Sequence, residues 1–310
     1  MTLLDLAGLL ALAALWGASF LFIRVAAPAL GPLSLMGTRT ILASLLLLAC
    51  AAAARALPSL RARWRQFLVL GAVHAALPYT LIAFAELRLT ASLTAILLAT
   101  TPLFSGIVSM VWLHDRLTMA RLIGLVLGLS GVAVLVGWSP LTLDRFVALS
   151  IGAALLAALC YAVGTVYAKR VFTGQPPLAL TVGQNLGASL VLVPFMFAAL
   201  PNRPPSGAAV GATLALTVLC TAVAYQLFFW LLARIGPTGT NSVTFLIPVF
   251  GVAWGVAFLD ESVTRGTIAG LMIVLASTAL VTGFRPAHLR ATSRAGTRKP
   301  TRPAELARVK

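Results

Sequence analysis

Charge is scarce in this sequence: aspartate, glutamate, lysine and arginine make up 10% of its 310 residues, and 7 of them are acidic. Soluble domains carry charge on about a quarter of their residues, so water is excluded as the solvent for most of the chain. Cysteine is rarer still. Cys50, Cys160 and Cys220 all fall inside apolar runs, which excludes a disulfide framework and offers no metal-ligand spacing. No GxxxxGK[ST] stretch occurs, which excludes a P-loop and ATP as the direct energy source. No cofactor and no metal are expected.

What the chain has is apolar length: 60% of its residues are hydrophobic and its mean hydropathy is +1.00. A helix crosses the roughly 30 Å of bilayer hydrocarbon with about 20 apolar residues. Runs bounded by Pro, Gly and charged clusters fall at 3–23, 33–54, 66–86, 91–113, 119–137, 147–168, 178–200, 208–233, 239–259 and 267–284. They predict an all-α membrane protein of ten transmembrane helices, with no room for a soluble catalytic domain. The first run carries Asp5, has no Lys or Arg before it and is followed by many like it. It reads as a membrane helix rather than a cleaved signal peptide.

The net charge of +16 resides in short connections and a tail rather than on a folded basic face, so nucleic acid is not an expected partner. Membrane orientation accounts for it. With ten spans both termini share a side, and one side then holds Arg55, Arg61, Arg63, Arg65, Arg116, Arg121, Lys169, Arg170, Arg234 and the tail from Arg285 onward. The other side holds Arg24, Arg88, Arg145, Arg203 and Arg265. The bias predicts a multi-pass protein of the plasma or inner membrane with both termini cytoplasmic. Residues 285–310 have little to bury and are predicted to be a disordered basic tail near anionic headgroups.

The chain also aligns on itself at an offset of 145, changing to 146 by the third helix. WGASFLFIR from Trp16 lies over YAVGTVYAK from Tyr161, and PLSLMGTRTILASL from Pro32 over PLALTVGQNLGASL from Pro177. Tyr79 matches Tyr225, Arg88 matches Arg234, Pro102 matches Pro248, Phe104 matches Phe250 and Asp115 matches Glu261. Gly124 matches Gly270, and Gly137 matches Gly283. Chance alignment of apolar segments rarely superposes Pro, Gly and charges at one offset. Five helices is an odd number, so the second repeat enters the membrane upside down. Residues 1–144 and 145–284 are thus predicted to be two inverted five-helix repeats around a central cavity, where a substrate site sits near the midplane and the halves rock.

These residues carry a resemblance over about 3–284. WGASF in the first helix, Arg39 in the second, TPLFSGIVSMVWLHDRLT with Gly124 and Gly137, and its echo IPVFGVAWGVAFLDESVT with Gly270 and Gly283 resemble the drug/metabolite transporter superfamily, specifically its EamA-type ten-helix members. The resemblance implies a helical basket whose cavity is lined by the first, third, fourth, sixth, eighth and ninth helices, with the fifth and tenth peripheral. It also implies export of amino acids or other metabolites.

Within this frame Pro102 and Pro248 break apolar helices at matching places, each removing a hydrogen bond and freeing a carbonyl. They read as functional bends or as packing kinks. Thr94, Thr100, Thr101, Asn241, Ser242 and Thr244 offer polar groups around them, unless they bond their own helices. Trp16, Ser19 and Phe20 share one face of the first helix, opposite Tyr161, Gly164 and Thr165 in the repeat, and are candidates to stack a solute. In the third helix Tyr79 and Glu86 share a face, seven residues apart, while α-helical spacing puts His74 on another side. Glu86 is the candidate for reading an amine or carrying a proton, unless it is solvated beside Arg88. His74 reads as neutral and hydrogen-bonded. Tyr225 and Gln226 are lining candidates in the eighth helix.

Arg39, whose repeat mate is Gln184, reads as structural. Asp115 and Glu261 precede Thr118 and Thr264, and are expected to cap the helices that follow. Gly124, Gly128, Gly266 and Gly270 form small-xxx-small pairs for close helix packing, leaving a homodimer and a monomer both open. The function these features point to is a secondary transporter exporting amino acids or related small metabolites across the cytoplasmic membrane, with proton exchange as one coupling. An uptake carrier or a multidrug exporter of the same fold are the alternatives within transport, and an intramembrane lipid-modifying enzyme the alternative outside it. The chain is not expected to be an enzyme, because Glu86, His74 and Arg39 form no recognisable catalytic set. Its expected partners are a small-molecule substrate and the lipid bilayer.

Overall fold

A computed structural model describes residues 2–53, 60–114, 118–138 and 144–282. Every regular element among them is helical, and ten helices are long and apolar enough to cross a membrane. In chain order they are Leu3–Leu30, Pro32–Ala53, Arg61–Ala85, Ala91–Leu113, Met119–Gly137, Arg145–Val171, Pro177–Ala198, Gly207–Pro237, Gly239–Leu259 and Arg265–Thr282, called here the first to the tenth helix. The ten spans expected from the sequence are present. The first helix runs seven residues and the sixth three residues beyond their predicted ends, because Arg24 and Lys169 do not stop them. The Arg24 guanidinium donates to the main-chain carbonyl of Glu86, and Lys169 lies in the last turn of its helix, where cations suit the helix dipole. The tail 285–310 and Gly283 lie outside the described residues.

Short polar residues start the helices. Thr2 and Asp5 form a reciprocal capping box on the first, while Thr90, Thr118, Asp144 and Ser206 accept main-chain bonds at the fourth, fifth, sixth and eighth. Each satisfies one otherwise orphaned N–H. Asp5 also accepts a 2.7 Å bond from Arg234 at the end of the eighth helix. The start of the first helix and the end of the eighth therefore share a face, here called the N-terminal face.

Packing between helices comes in pairs. The first helix packs on the ninth and eighth as the sixth packs on the fourth and third; the third packs on the seventh as the eighth packs on the second. The second and seventh, fourth and ninth, and fifth and tenth pack on each other. This is the pattern two halves related by a two-fold axis produce. Local irregularities repeat too. A π-helical segment, Ala72–Ala76, interrupts the third helix, and another, Val218–Val223, opens at the equivalent residue of the eighth.

The fifth and tenth helices meet through glycine. A Cβ on Gly124 would lie 2.7 Å from Val281, and one on Gly270 would lie 2.7 Å from Leu135. A Cβ on Gly128 would collide with Leu103, and one on Gly266 with Trp138. These small faces are therefore spent inside the chain.

Candidate functional site

Between the halves lies a cavity of about 340 Å³, at the lower end of the ~300–1,000 Å³ usual for small-molecule sites. Its walls come from the first, second, third, fourth, sixth, eighth and ninth helices. Much of the lining is paired by the sequence repeat. Trp16 and Tyr161 both line it, as do Phe20 and Thr165, Tyr79 and Tyr225, Leu98 and Thr244, Thr101 and Ile247, and Pro102 and Pro248. Ser19 lines it as well.

The rings of the wall pack in two groups. Trp16 and Tyr225 meet edge to face at 6.1 Å between centroids, Tyr79 and Tyr161 at 6.3 Å, and His74 and Tyr161 at 5.4 Å. Such edge-to-face pairs hold rings in fixed orientations. Over this wall lies Arg39, its guanidinium carbon 4.1 Å from the centroid of Tyr79. Arg39 Nε is 3.4 Å from the Thr221 hydroxyl oxygen, which the π segment of the eighth helix presents.

His74 belongs to this wall, contrary to its expected place on another side. The reason is the π segment Ala72–Ala76, whose wider turn shifts the register that α-helical spacing assumes. Pro78 begins the next stretch of helix. His74 Nδ1 lies 3.0 Å from Gln184 Oε1 and Nε2 3.3 Å from Thr165 Oγ1, and the ring packs into the space left by Gly164.

The broken fourth helix has its carbonyls satisfied by hydroxyls. Thr100 donates to the Leu97 carbonyl, Thr101 to that of Leu98, which Pro102 leaves without an N–H, and Thr278 of the tenth helix to that of Ala99. Thr94 likewise donates to Thr90 at 2.9 Å. These are the back-bonds that Ser and Thr commonly make. Thr94 is fully buried and does not line the cavity. In the ninth helix Ser242 and Thr244 donate to Gly239 and Asn241.

Four expected lining residues lie elsewhere. Besides Thr94, Gln226 is exposed, because the residue after Tyr225 points about 100° around the helix. Asn241 is exposed where the eighth helix gives way to the ninth. Glu86 follows the last turn of the third helix, outside the cavity wall and fully buried, with neither carboxylate oxygen hydrogen-bonded. It is not solvated beside Arg88. Arg39, read as structural from the sequence, is in the wall. A lone cation inside a span was the available signal for it.

The cavity opens one way. Lining residues toward the N-terminal face, Thr165 and Thr244, are exposed, while Ile23, Ile82 and Ala95, toward the opposite face, are buried. The ninth helix packs on Ala91–Leu98 and has no comparable packing on Thr101–Leu113, so the two helices diverge toward the N-terminal face. Glu261 secures the closed end. Its carboxylate accepts from the main-chain N–H of Ala91 at 2.7 Å and of Ser92 at 3.0 Å, and from the Ser92 hydroxyl. Glu261 was expected to cap its own following helix; it caps the fourth instead, and Thr264 alone accepts from Thr267 N–H at the tenth. Asp115 lies outside the described residues.

The chain is similar to known proteins. The model of the EamA-like transporter family matches twice, at 4–137 and 148–283. An uncharacterized transporter of Bacillus subtilis (strain 168), YvbV, is 27% identical over 86% of this chain and 88% of its own length. The uncharacterized inner membrane transporter YedA of Escherichia coli (strain K12) is 27% identical over 88% of this chain and 89% of its own. A solved crystal structure at 18% identity superposes with a TM-score of 0.65 over 94% of this chain and 99% of that one, which is a likeness of fold.

Proposed function

Because the chain belongs to the EamA-like transporter family, we propose that it is a secondary transporter exporting amino acids or related small metabolites by alternating access, with the aromatic cavity as its transport site. The carrying observation is that cavity: small, lined by repeat-paired residues, open to the N-terminal face and shut at the other. Two inverted repeats, 1–144 and 145–284, supply the exchange of access, since a paired wall can present the same groups to either side. The N-terminal face is the cytoplasmic one by the distribution of Lys and Arg, so the conformation here is loaded from inside. Trp16, Ser19, Phe20, Tyr79, Tyr161, Thr165 and Tyr225 contact the solute, together with Arg39, beside the break that precedes Pro102 in the fourth helix; Pro248, expected to break the ninth helix in the same way, lies inside a helix that runs unbroken from Val243 to Leu259. For coupling, Glu86 is the buried carboxylate available to carry a proton.

The test compares metabolites in the medium of cells making the intact protein with cells making a Trp16→Ala, Tyr225→Ala variant at equal membrane levels. A metabolite enriched outside only with the intact protein is the expected result. Equal enrichment with both forms removes the cavity from the pathway, and depletion from the medium reverses the direction.

A further inference from the structure

The cavity contains one charge and no opposite charge to balance it. Arg39 is 6% exposed, lines the cavity and lies on the Tyr79 ring. Apart from the weak contact with Thr221, the guanidinium makes no further hydrogen bond and no ion pair among the described residues, where the one ion pair is Arg234 with Asp5. A buried guanidinium is expensive unless an anion and hydrogen bonds compensate for its lost hydration. A structural arginine in a membrane span accordingly has a carboxylate or a row of carbonyls on its fork. Here Arg39 instead lines a cavity beside the tyrosines Tyr79, Tyr161 and Tyr225, and among the described residues its terminal nitrogens have no hydrogen-bond partner.

From this geometry we propose that the cavity takes organic monoanions: a carboxylate held by the Arg39 fork, carried on an aromatic or flat apolar body that packs on Trp16 and Tyr161. The inference rests on the cavity being the transport site and names the class of solute within it. A carboxylate matches the planar guanidinium in two parallel hydrogen bonds, and the tyrosine hydroxyls can donate to it as well. One guanidinium balances one negative charge, which favours a monoanion over a phosphate dianion. The volume limits the body to a small one.

The same wall discriminates against amines. No aspartate or glutamate lines the cavity, Glu86 lies outside it, and the ring face of Tyr79 that could attract a cation is already covered by Arg39. An ammonium group entering this space meets the like charge of Arg39 and no carboxylate to offset it, with only ring faces and hydroxyl oxygens to receive it. An amino acid is therefore held by its carboxylate, and its amine is a cost rather than an anchor.

Binding to the purified full-length protein in detergent, followed by tryptophan fluorescence, tests this with four probes of one shape: 3-phenylpropanoate, phenylalanine, 3-phenylpropylamine and 3-phenylpropanol. The expected order is 3-phenylpropanoate first, phenylalanine weaker, and the alcohol and amine weaker than the carboxylate by tenfold or more. Arg39→Gln removes the preference for the acid, roughly a tenfold or larger loss, whereas Arg39→Lys, which keeps the charge but not the fork, retains part of it. In the absence of probe, Arg39→Gln keeps or raises the melting temperature, since it deletes an uncompensated charge. An order led by the amine or alcohol overturns the proposal, as does acid binding that survives Arg39→Gln. An Arg39→Gln protein that no longer folds does so too, because it makes Arg39 part of the scaffold. Binding is scored without transport, so a carrier that exports metabolites yet ignores 3-phenylpropanoate refutes the anion site and leaves the transporter reading standing.

Discussion

At the scale of single residues, two charged groups do opposite jobs. Arg39 is left open, while the carboxylate of Glu261 is fully used on the first turn of the fourth helix, where it meets both main-chain N–H groups and the positive end of the helix dipole. Glu261→Gln keeps the shape but can accept on one oxygen only and carries no charge. The closed end should open more often, by about 1–2 kcal/mol, or roughly 5–30-fold in population. A cysteine in place of Ile82, buried at that end of the cavity, reports it: Ile82→Cys should react faster with a membrane-impermeant maleimide in the Glu261→Gln background than alone. Unchanged labelling would show that the cap holds nothing shut. Sequence reading found the Trp16, Tyr79, Tyr161 and Tyr225 wall because aromatic identity survives in the repeat. It misplaced His74 and Gln226, and did not foresee that Arg39 lines the cavity, because facing depends on rotation about the helix, which an unbroken apolar span does not record.

At the scale of elements, the ten spans were legible because length and hydropathy alone define them, and the break of the fourth helix because Pro102 marks it; Pro248 misled, since the ninth helix runs through it without interruption. The π segments were not, since nothing in AVHAA or VLCTAV departs from ordinary helix composition. Yet they turn His74 and Thr221 toward the site. The fifth and tenth helices were expected at the periphery, and the glycines that join them show how closely they are fixed. Gly128→Leu would press a side chain into Leu103 and Ser277, and overpacking of this kind costs about 1–3 kcal/mol. A lowered melting temperature in detergent is expected. Gly152→Ala, where a Cβ meets nothing within 4 Å, should leave it unchanged or slightly raised, since alanine is the better helix former. Equal effects from the two would mean that the fifth helix does not pack on Leu103 of the fourth and Ser277 of the tenth as described.

At the scale of the whole molecule, the proposed carrier mechanism rests on the duplication. Twelve of the wall residues form six repeat pairs, so on the proposed mechanism a tilt of one half against the other would exchange the open and closed ends while keeping those groups in the wall. The duplication itself was plain in the sequence, but which end stands open is a property of packing. The ninth helix touches one half of the fourth and diverges from the other, and no local pattern dictates which half. Labelling from each side of the membrane can read this directly. Cysteines replacing Thr165 and Thr244, both exposed at the open end, should react with an impermeant maleimide from the cytoplasmic side, and Ile82→Cys should be protected from both. Reaction of Thr165→Cys and Thr244→Cys from outside alone would invert the assigned orientation of the chain. Reaction of Ile82→Cys from outside, with Thr165→Cys and Thr244→Cys protected, would mean that the resting carrier faces out, with the two halves tilted the other way.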